Sequence, residues 1–246
     1  MFRLSPSKLH CYLECPRLFY HRYLDSKTKS ILPPARPYFT MGAHVHHALN
    51  LFFELKPAAR NQASLLKILD FCWQGSHGPQ AGFYSEAEEQ EYLSRAQLML
   101  KAFAASEFAS SQPFFASEQT LSSLIRPDIQ LMGRIDRIDQ TAEGLHLIDY
   151  KTSKEERDDP YQLPIYAILA HQRFKQPIVR LSYLYLEKMS LSDMPTNPAR
   201  EQQMIYELGK IVDSMPKSLE RQAWICPSET ELCPHIEYLR VAGAAV

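Results

Sequence analysis

Residues 131–152 read LMGRIDRIDQTAEGLHLIDYKT, and this stretch decides the architecture. Two apolar-rich runs, Gln130 to Asp139 and Leu145 to Tyr150, flank a short polar link from Gln140 to Gly144, the pattern of a β-hairpin. Side chains alternate along a strand, so Leu145, Leu147, Asp149 and Lys151 share one face of the second run. The same period groups Met132, Arg134, Asp136 and Ile138 in the first. Thirteen positions separate Asp136 from Asp149, a distance that a hairpin folds back. Two carboxylates and one ammonium are therefore expected to converge at one end of a sheet. The triplet Asp25-Ser26-Lys27 repeats the D-x-K spacing, but no apolar strand flanks it and no carboxylate-bearing strand precedes it.

Upstream of the hairpin a further strand is expected around Phe115 to Ser122, and the chain before that is helical in pattern. Ser5-Pro6-Ser7 is a helix start, and Leu9, Tyr12, Leu13, Leu18 and Phe19 recur at helical spacing, which places Cys11 and Cys15 one turn apart on one helix. Ser30 to Pro37 carries three prolines and is a connector. Further helices are expected from near Met41 through Phe53, over about Ala63 to Trp73, and from Glu86 to about Phe108, with a loop over Gly75 to Gly82. Downstream, Tyr161 to Phe174 is a helix, Ile178 to Glu187 a strand and Pro198 to Met215 a helix, followed by a short tail. This order suits an α/β fold with a mixed central sheet flanked by helices. One domain over 1–246 is expected, with a helical part over about 1–110, a catalytic sheet core over about 111–190, and a C-terminal helix and tail over about 191–246.

Composition narrows the function. Hydrophobic residues make up 45% and charged residues 22%, as in an ordinary globular protein. No GxGxxG or GxxxxGK[ST] string occurs, which argues against nucleotide-dependent chemistry. The net charge of −1 gives no global attraction to nucleic acid, so any such surface must be a local concentration of Lys and Arg. The first residues lack the apolar core of a signal peptide and no apolar run is long enough to cross a bilayer. The chain is expected to be cytoplasmic, with its five cysteines free or bound to metal.

Paired carboxylates followed by a lysine suit one kind of chemistry. Hydrolysis of a phosphodiester uses a divalent ion that polarises the phosphate and acidifies a water. Mg²⁺ and Mn²⁺ prefer oxygen ligands, which Asp136 and Asp149 supply. Lys151, two positions beyond Asp149, can hold the attacking hydroxide and offset phosphate charge. Arg134 shares the Asp136 face and is the candidate phosphate contact; Arg137 lies on the other face.

The strings GRIDRID (133–139) and LIDYKT (147–152) closely resemble the core of the RecB-like branch of the PD-(D/E)XK nucleases. Further motifs match in order: Gly42 to His46 as G-x-x-x-H, Gln162 to Tyr166 as Q-x-x-x-Y, and Ser7 to Pro16 as the S-x-L…CP entry helix. The resemblance covers nearly the whole chain. It implies a restriction-endonuclease-like core and a metal-dependent DNA nuclease acting on ends or single strands, leaving 5′-phosphate and 3′-hydroxyl products. The implied catalytic set is Asp136, Asp149, Lys151, Gln162 and Tyr166. The implied metal ligands are His46, Asp136, Asp149 and the backbone carbonyl of Tyr150, around Mg²⁺ or Mn²⁺, with an imidazole ligand favouring Mn²⁺. His44 and His47, on another face of the helix, would at most form a separate zinc site. Gln162 and Tyr166 either contact the DNA backbone or support Lys151, and helix–sheet packing is the plain alternative. Glu118 is either a second acidic ligand or a strand-end residue. Members of the branch work beside helicases or integrases, so such a partner is implied; oligomeric state is left open. The alternative function is a non-catalytic DNA-binding or scaffold module on the same fold.

The branch also implies a [4Fe–4S] cluster held by one N-terminal cysteine and three near the C-terminus. Cys15 fits the first position and Cys233 one of the others. The residues after Cys233, PHIEYLRVAGAAV, contain no further cysteine, and Cys226 lies seven positions upstream, a spacing that does not match. Cys11, Cys15, Cys226 and Cys233 could still supply four thiolates, and His235 could replace one at a zinc site. Spacing alone favours a lost cluster and buried thiols. Cys72, on an apolar helix, is expected in the core.

Overall fold

The computed structural model describes residues 1–31, 34–110, 114–154, 159–227 and 233–241. In chain order its elements are β1 (Phe2–Leu4), α1 (Pro6–Glu14), α2 (Pro16–Phe19), a π-helical turn Tyr20–Leu24, α3 (Pro37–Glu54), α4 (Gln62–Trp73), α5 (Glu86–Ala104), α6 (Glu107–Ser110), β2 (Phe114–Arg126), β3 (Ile129–Gln140), β4 (Leu145–Lys151), α7 (Gln162–Phe174), β5 (Ile178–Tyr185), β6 (Ser190–Met194), α8 (Pro198–Ser214) and α9 (Pro234–Val241). The strands form a mixed six-stranded sheet ordered β1-β3-β4-β5-β6, with β2 also paired to β3. This is the α/β, restriction-endonuclease-like arrangement that the sequence leads one to expect. Among the described residues no helix is long and apolar enough to cross a membrane.

The chain divides into two compact units. One comprises Ala35–Ser123 and Gly133–Glu201; the other comprises Met1–Pro34, Leu124–Met132 and Gln202–Val246. In the first, β3 and β4 form the expected antiparallel hairpin, with Arg137 opposite Ile148 and Gln140 opposite Leu145. β4 then pairs in parallel with β5, placing Asp149 beside Tyr183 and Lys151 beside Tyr185. Being central, β4 is buried on both faces, as expected for a strand covered by helices on each side. Ile148 and Tyr150 join the core made by α3, α4 and α5, with Val45, Leu49, Phe52, Leu69 and Phe103.

Helix α7 is buried from Leu163 to Ala170. Its close approach to β3 requires Gly133, because a Cβ there would lie 2.9 Å from Leu169 Cδ1 and 3.0 Å from the Tyr166 ring. Gly42 plays the same part for α3, where a Cβ would stand 3.1 Å from Thr152 Oγ1 just past the end of β4. One turn later the helix delivers His46. In the same unit Arg137 and Asp139 form a fully buried pair, Nε donating to Oδ1 at 2.7 Å and a guanidinium N–H to the Phe108 carbonyl at 2.6 Å. Arg137 is thus committed to the interior, which removes it from any nucleic-acid surface.

The second unit departs most from expectation. Ser5 caps α1 by accepting from the Lys8 amide at 3.3 Å, with Pro6 inside the first turn. The expected helix through Phe19 is broken at Cys15, whose backbone is extended (φ −158°). The residue before a proline disfavours the helical region, and Pro16 follows. Cys15 therefore ends α1 and caps α2, its Sγ accepting from the Leu18 amide at 3.4 Å. Phe2, Phe19 and Trp224 stack in sequence, with ring centroids 6.1 and 5.7 Å apart. Trp224 is anchored by Nε1 donating to the Ser218 carbonyl (3.0 Å) and by its own carbonyl accepting from Arg17 Nε (2.6 Å). The short tail contains α9, whose Tyr238 hydroxyl reaches the Thr28 carbonyl at 2.8 Å. β1 pairs in parallel with the start of β3, Phe2 opposite Ile129. Leu32 and Pro33 of the expected connector lie outside the described residues.

Candidate active site

The first unit gathers Asp136, Asp149, Lys151, His46, Gln162 and Tyr166 in one place. Continuing the hairpin register by one pair brings Asp136 level with Asp149. Both carboxylates are buried, at 7% and 3% exposure, and each meets a basic side chain instead of bulk water. Asp136 Oδ1 lies 3.3 Å from His46 Nδ1, and its Oδ2 accepts from the Tyr150 amide at 2.9 Å. Asp149 Oδ2 lies 2.7 Å from Lys151 Nζ, an ion pair whose angles fall outside hydrogen-bond geometry.

Gln162, at the first turn of α7, ties these groups together. Its Oε1 accepts from Lys151 Nζ at 2.6 Å, while Nε2 donates to Asp149 Oδ1 at 2.8 Å and approaches the Tyr166 hydroxyl at 3.1 Å. An amide is the side chain suited to this position, since it presents an acceptor to the ammonium and a donor to the carboxylate. The start of α7 is itself held by Asp159, whose Oδ1 accepts from the amides of Tyr161 (2.8 Å) and Gln162 (3.2 Å). The Tyr183 hydroxyl donates to the Asp159 carbonyl (3.0 Å), and the Tyr183 ring lies 4.7 Å below Lys151 Nζ as a cation–π partner. Tyr183 and Asp159 were not singled out in the sequence. The parallel register of β4 and β5 that pairs Tyr183 with Asp149 is a long-range property, although a strand over Ile178 to Glu187 is expected.

The electrostatics are asymmetric. Burial, and then the neighbouring Asp136 carboxylate, push the Asp149 carboxyl up to about 7, against the opposing pull of Lys151. Burial acts on Asp136 in the same direction, but the His46 ring and the Tyr150 amide overcome it and hold this carboxyl below the usual range. Burial alone would lower His46, yet Asp136 raises its pKa above the ordinary value. Two adjacent buried carboxylates of which one resists ionisation form a site deficient in positive charge. The donor set of two carboxylates and one imidazole suits a divalent ion such as Mg²⁺ or Mn²⁺. The Tyr150 amide faces Asp136.

Arg134 is exposed and close enough for its charge to act on Tyr166, whereas the remaining candidates lie apart. His44 packs against Trp73, ring centroids 5.1 Å apart, and burial lowers its pKa; His47 is exposed, and no third ligand joins the two among the described residues. Glu118 is half-buried with φ +43°, and among the described residues no hydrogen bond or ion pair links it to the site. In the other unit Cys15, Cys226, Cys233 and His235 come together, whereas Cys11 stays outside that group and Cys72 sits in the helical core.

The family model described as the PD-(D/E)XK nuclease superfamily matches residues 3–237. No curated protein matches the chain.

Proposed function

The chain belongs to the PD-(D/E)XK nuclease superfamily, and from that premise we propose that it is a metal-dependent DNA nuclease that processes free ends or single strands, as its RecB-like motifs suggest. The observation that carries this reading is the Asp149–Lys151–Gln162 arrangement, in which one amide holds the carboxylate and the ammonium in a fixed relation. A structural ion pair has no need of a second buried carboxylate beside it, and Asp136 supplies one.

In this reading Asp136, Asp149, His46 and the Tyr150 carbonyl hold Mg²⁺ or Mn²⁺. The bound ion supplies Lewis-acid polarisation of the phosphate and an acidified water. Lys151, a quarter exposed, faces the open side of the site and orients the attacking water while offsetting charge on the phosphate. Gln162 is a positioning residue, because it acts through Asp149 and Lys151. Tyr166 supports Gln162 from the next turn. Water attacks phosphorus, the P–O3′ bond breaks, and the products carry a 5′-phosphate and a 3′-hydroxyl. Exposed Arg134 receives the DNA backbone.

The test is a cleavage assay on end-labelled single strands, blunt duplex and covalently closed circles, with Mn²⁺ or Mg²⁺, beside Asp136→Asn. The expected result is cutting of linear substrates only, absent in the variant. Cutting of closed circles would replace end processing with endonuclease action. A folded protein that binds Mn²⁺ by calorimetry and cuts nothing would overturn the nuclease reading.

A further inference from the structure

We propose that Cys15, Cys226, Cys233 and His235 form a tetrahedral Cys₃His zinc site that staples the two ends of the chain within one unit, in place of the four-iron cluster that the family resemblance implies. The inference is independent of the nuclease reading, since none of these residues belongs to that site.

The geometry carries it. Cys15 Sγ lies 3.9 Å from Cys226 Sγ, 3.5 Å from Cys233 Sγ and 3.7 Å from His235 Nδ1. Cys233 Sγ lies 3.0 Å from Cys226 Sγ and 3.1 Å from His235 Nδ1. All four ligand atoms fall within 4.8 Å of one another, and all four residues are buried. A tetrahedral zinc ion with Zn–S of about 2.3 Å and Zn–N of about 2.0 Å sets its sulfurs about 3.8 Å apart and its sulfur–nitrogen pairs about 3.6 Å apart. The observed separations bracket both values. A four-iron cube places a separate iron on each ligand around a core of sulfides, so its cysteine sulfurs must stand much farther apart than ligands sharing one ion. The residues present do not fit that group: there are three thiols in place of four, and they are too close. Cys11, the remaining thiol of the apolar cluster, is not among the ligands.

The surroundings agree. The group sits inside an apolar cluster with Leu18, Phe19, Met215, Trp224 and Tyr238. Unligated, it would bury three thiols around an imidazole nitrogen whose hydrogen-bond neighbours among the described residues are sulfur alone. Thiols are weak donors and poor compensation for a buried polar ring. The Leu18 amide donates to Cys15 Sγ, the kind of outer contact that fixes a ligating thiolate. Both local devices serve the same end: Pro16 forces the helix to break at Cys15, and Pro234 starts α9 between Cys233 and His235. The ligands span 211 residues between Cys15 and Cys226, so an ion here closes the unit assembled from three separate stretches of chain and contributes its binding energy to folding.

The test uses the full chain, purified from zinc-supplemented cells. Elemental analysis should find about one zinc per chain, without iron, acid-labile sulfide or broad visible absorbance. Replacement by Co²⁺ should give the intense visible bands of tetrahedral cobalt with thiolate charge transfer. Cys226→Ser and His235→Ala should lose the stoichiometric zinc, whereas Cys11→Ser, Asp136→Asn and Asp149→Asn should keep it. Should ligand variants fail to fold, mercurial titration of the wild type in the presence of a zinc-sensitive dye should release the ion as three protected thiols react. Iron with sulfide, a Cys226–Cys233 disulfide, metal-free folded protein with freely reactive thiols, or loss of zinc in Asp136→Asn would each overturn the proposal.

Discussion

Asp149→Asn should make the protein more stable while abolishing its activity, and the size of the gain follows from the site. A carboxyl titrates near 3.9 in an unfolded chain, whereas burial and the adjacent Asp136 hold Asp149 protonated up to about 7 in the fold. Between those values the folded state binds a proton that the unfolded state has released, so stability falls as pH rises. Three pH units at about 1.4 kcal/mol each give a loss of about 4 kcal/mol by pH 8. Asparagine keeps the shape and removes the charge. It surrenders the ion pair with Lys151, which is partly exposed and rehydrates, so the net gain at pH 8 should be on the order of 3 kcal/mol. At pH 4.5 the gain should shrink to about 1 kcal/mol or less, because the wild-type carboxyl is neutral in the fold and the unfolded carboxyl is only just above its own pKa. The assay is urea unfolding without added Mg²⁺ or Mn²⁺, read from buried Trp73 in the same unit. Adding Mn²⁺ should reverse the order, since only the wild type binds it well and gains stability by mass action. A gain equal at both pH values, or none at pH 8, would refute the claim that the two carboxylates repel each other and await a cation.

Gln162→Leu keeps the helix start but removes the amide that joins Lys151 to Asp149; kcat should fall ~100-fold with KM nearly unchanged, and an effect confined to KM would assign Gln162 to DNA contact instead. His146 Nε2 lies 2.7 Å from Ser182 Oγ, whose hydroxyl donates to Asp193 Oδ1 at 2.6 Å. Burial, then Arg180, push its imidazole down to about 4 from 6.5. Its contribution is therefore present above pH 6.5 and lost as pH falls toward 4, by up to about 3 kcal/mol; His146→Gln should flatten that decline in pH-dependent unfolding, and an unchanged slope would contradict it. Arg134→Ala should weaken DNA binding alike for all sequences and lower the log–log salt slope by about 1; an unchanged slope in a binding titration would remove Arg134 from the DNA surface.

How much of this was legible depends on how local each signal is. The hairpin, α3 and α7 announce themselves through period and turn chemistry, and strand alternation groups Asp136, Asp149 and Lys151; His46 and Gln162 are marked only by the family resemblance. β1 is three residues long and exists through pairing with Ile129–Leu131, a partner that no local pattern reveals. β6 reads Ser-Leu-Ser-Asp-Met at the sheet edge and is half-buried throughout most of its length, so alternation is too weak to mark it. The break at Cys15 was written in Pro16 but was outweighed by the apolar period running through Leu18 and Phe19. The Cys/His group was hidden for a different reason. Metal motifs are recognised by close spacing, and here one ligand lies more than two hundred residues from the others; the spacing from Cys226 to Cys233 argued against a cluster, and only the folded chain shows the four ligand atoms to be neighbours.

The central claim is that Lys151, held by Gln162 beside the two aspartates, takes part in cutting phosphodiester bonds. Its most direct test is the rate at which wild-type protein and Lys151→Ala degrade end-labelled linear DNA in Mn²⁺, with folding checked by circular dichroism and metal binding by calorimetry. The account predicts cutting by the wild type and a loss of at least ~100-fold in the variant with Mn²⁺ still bound. Equal rates from the two proteins would contradict it.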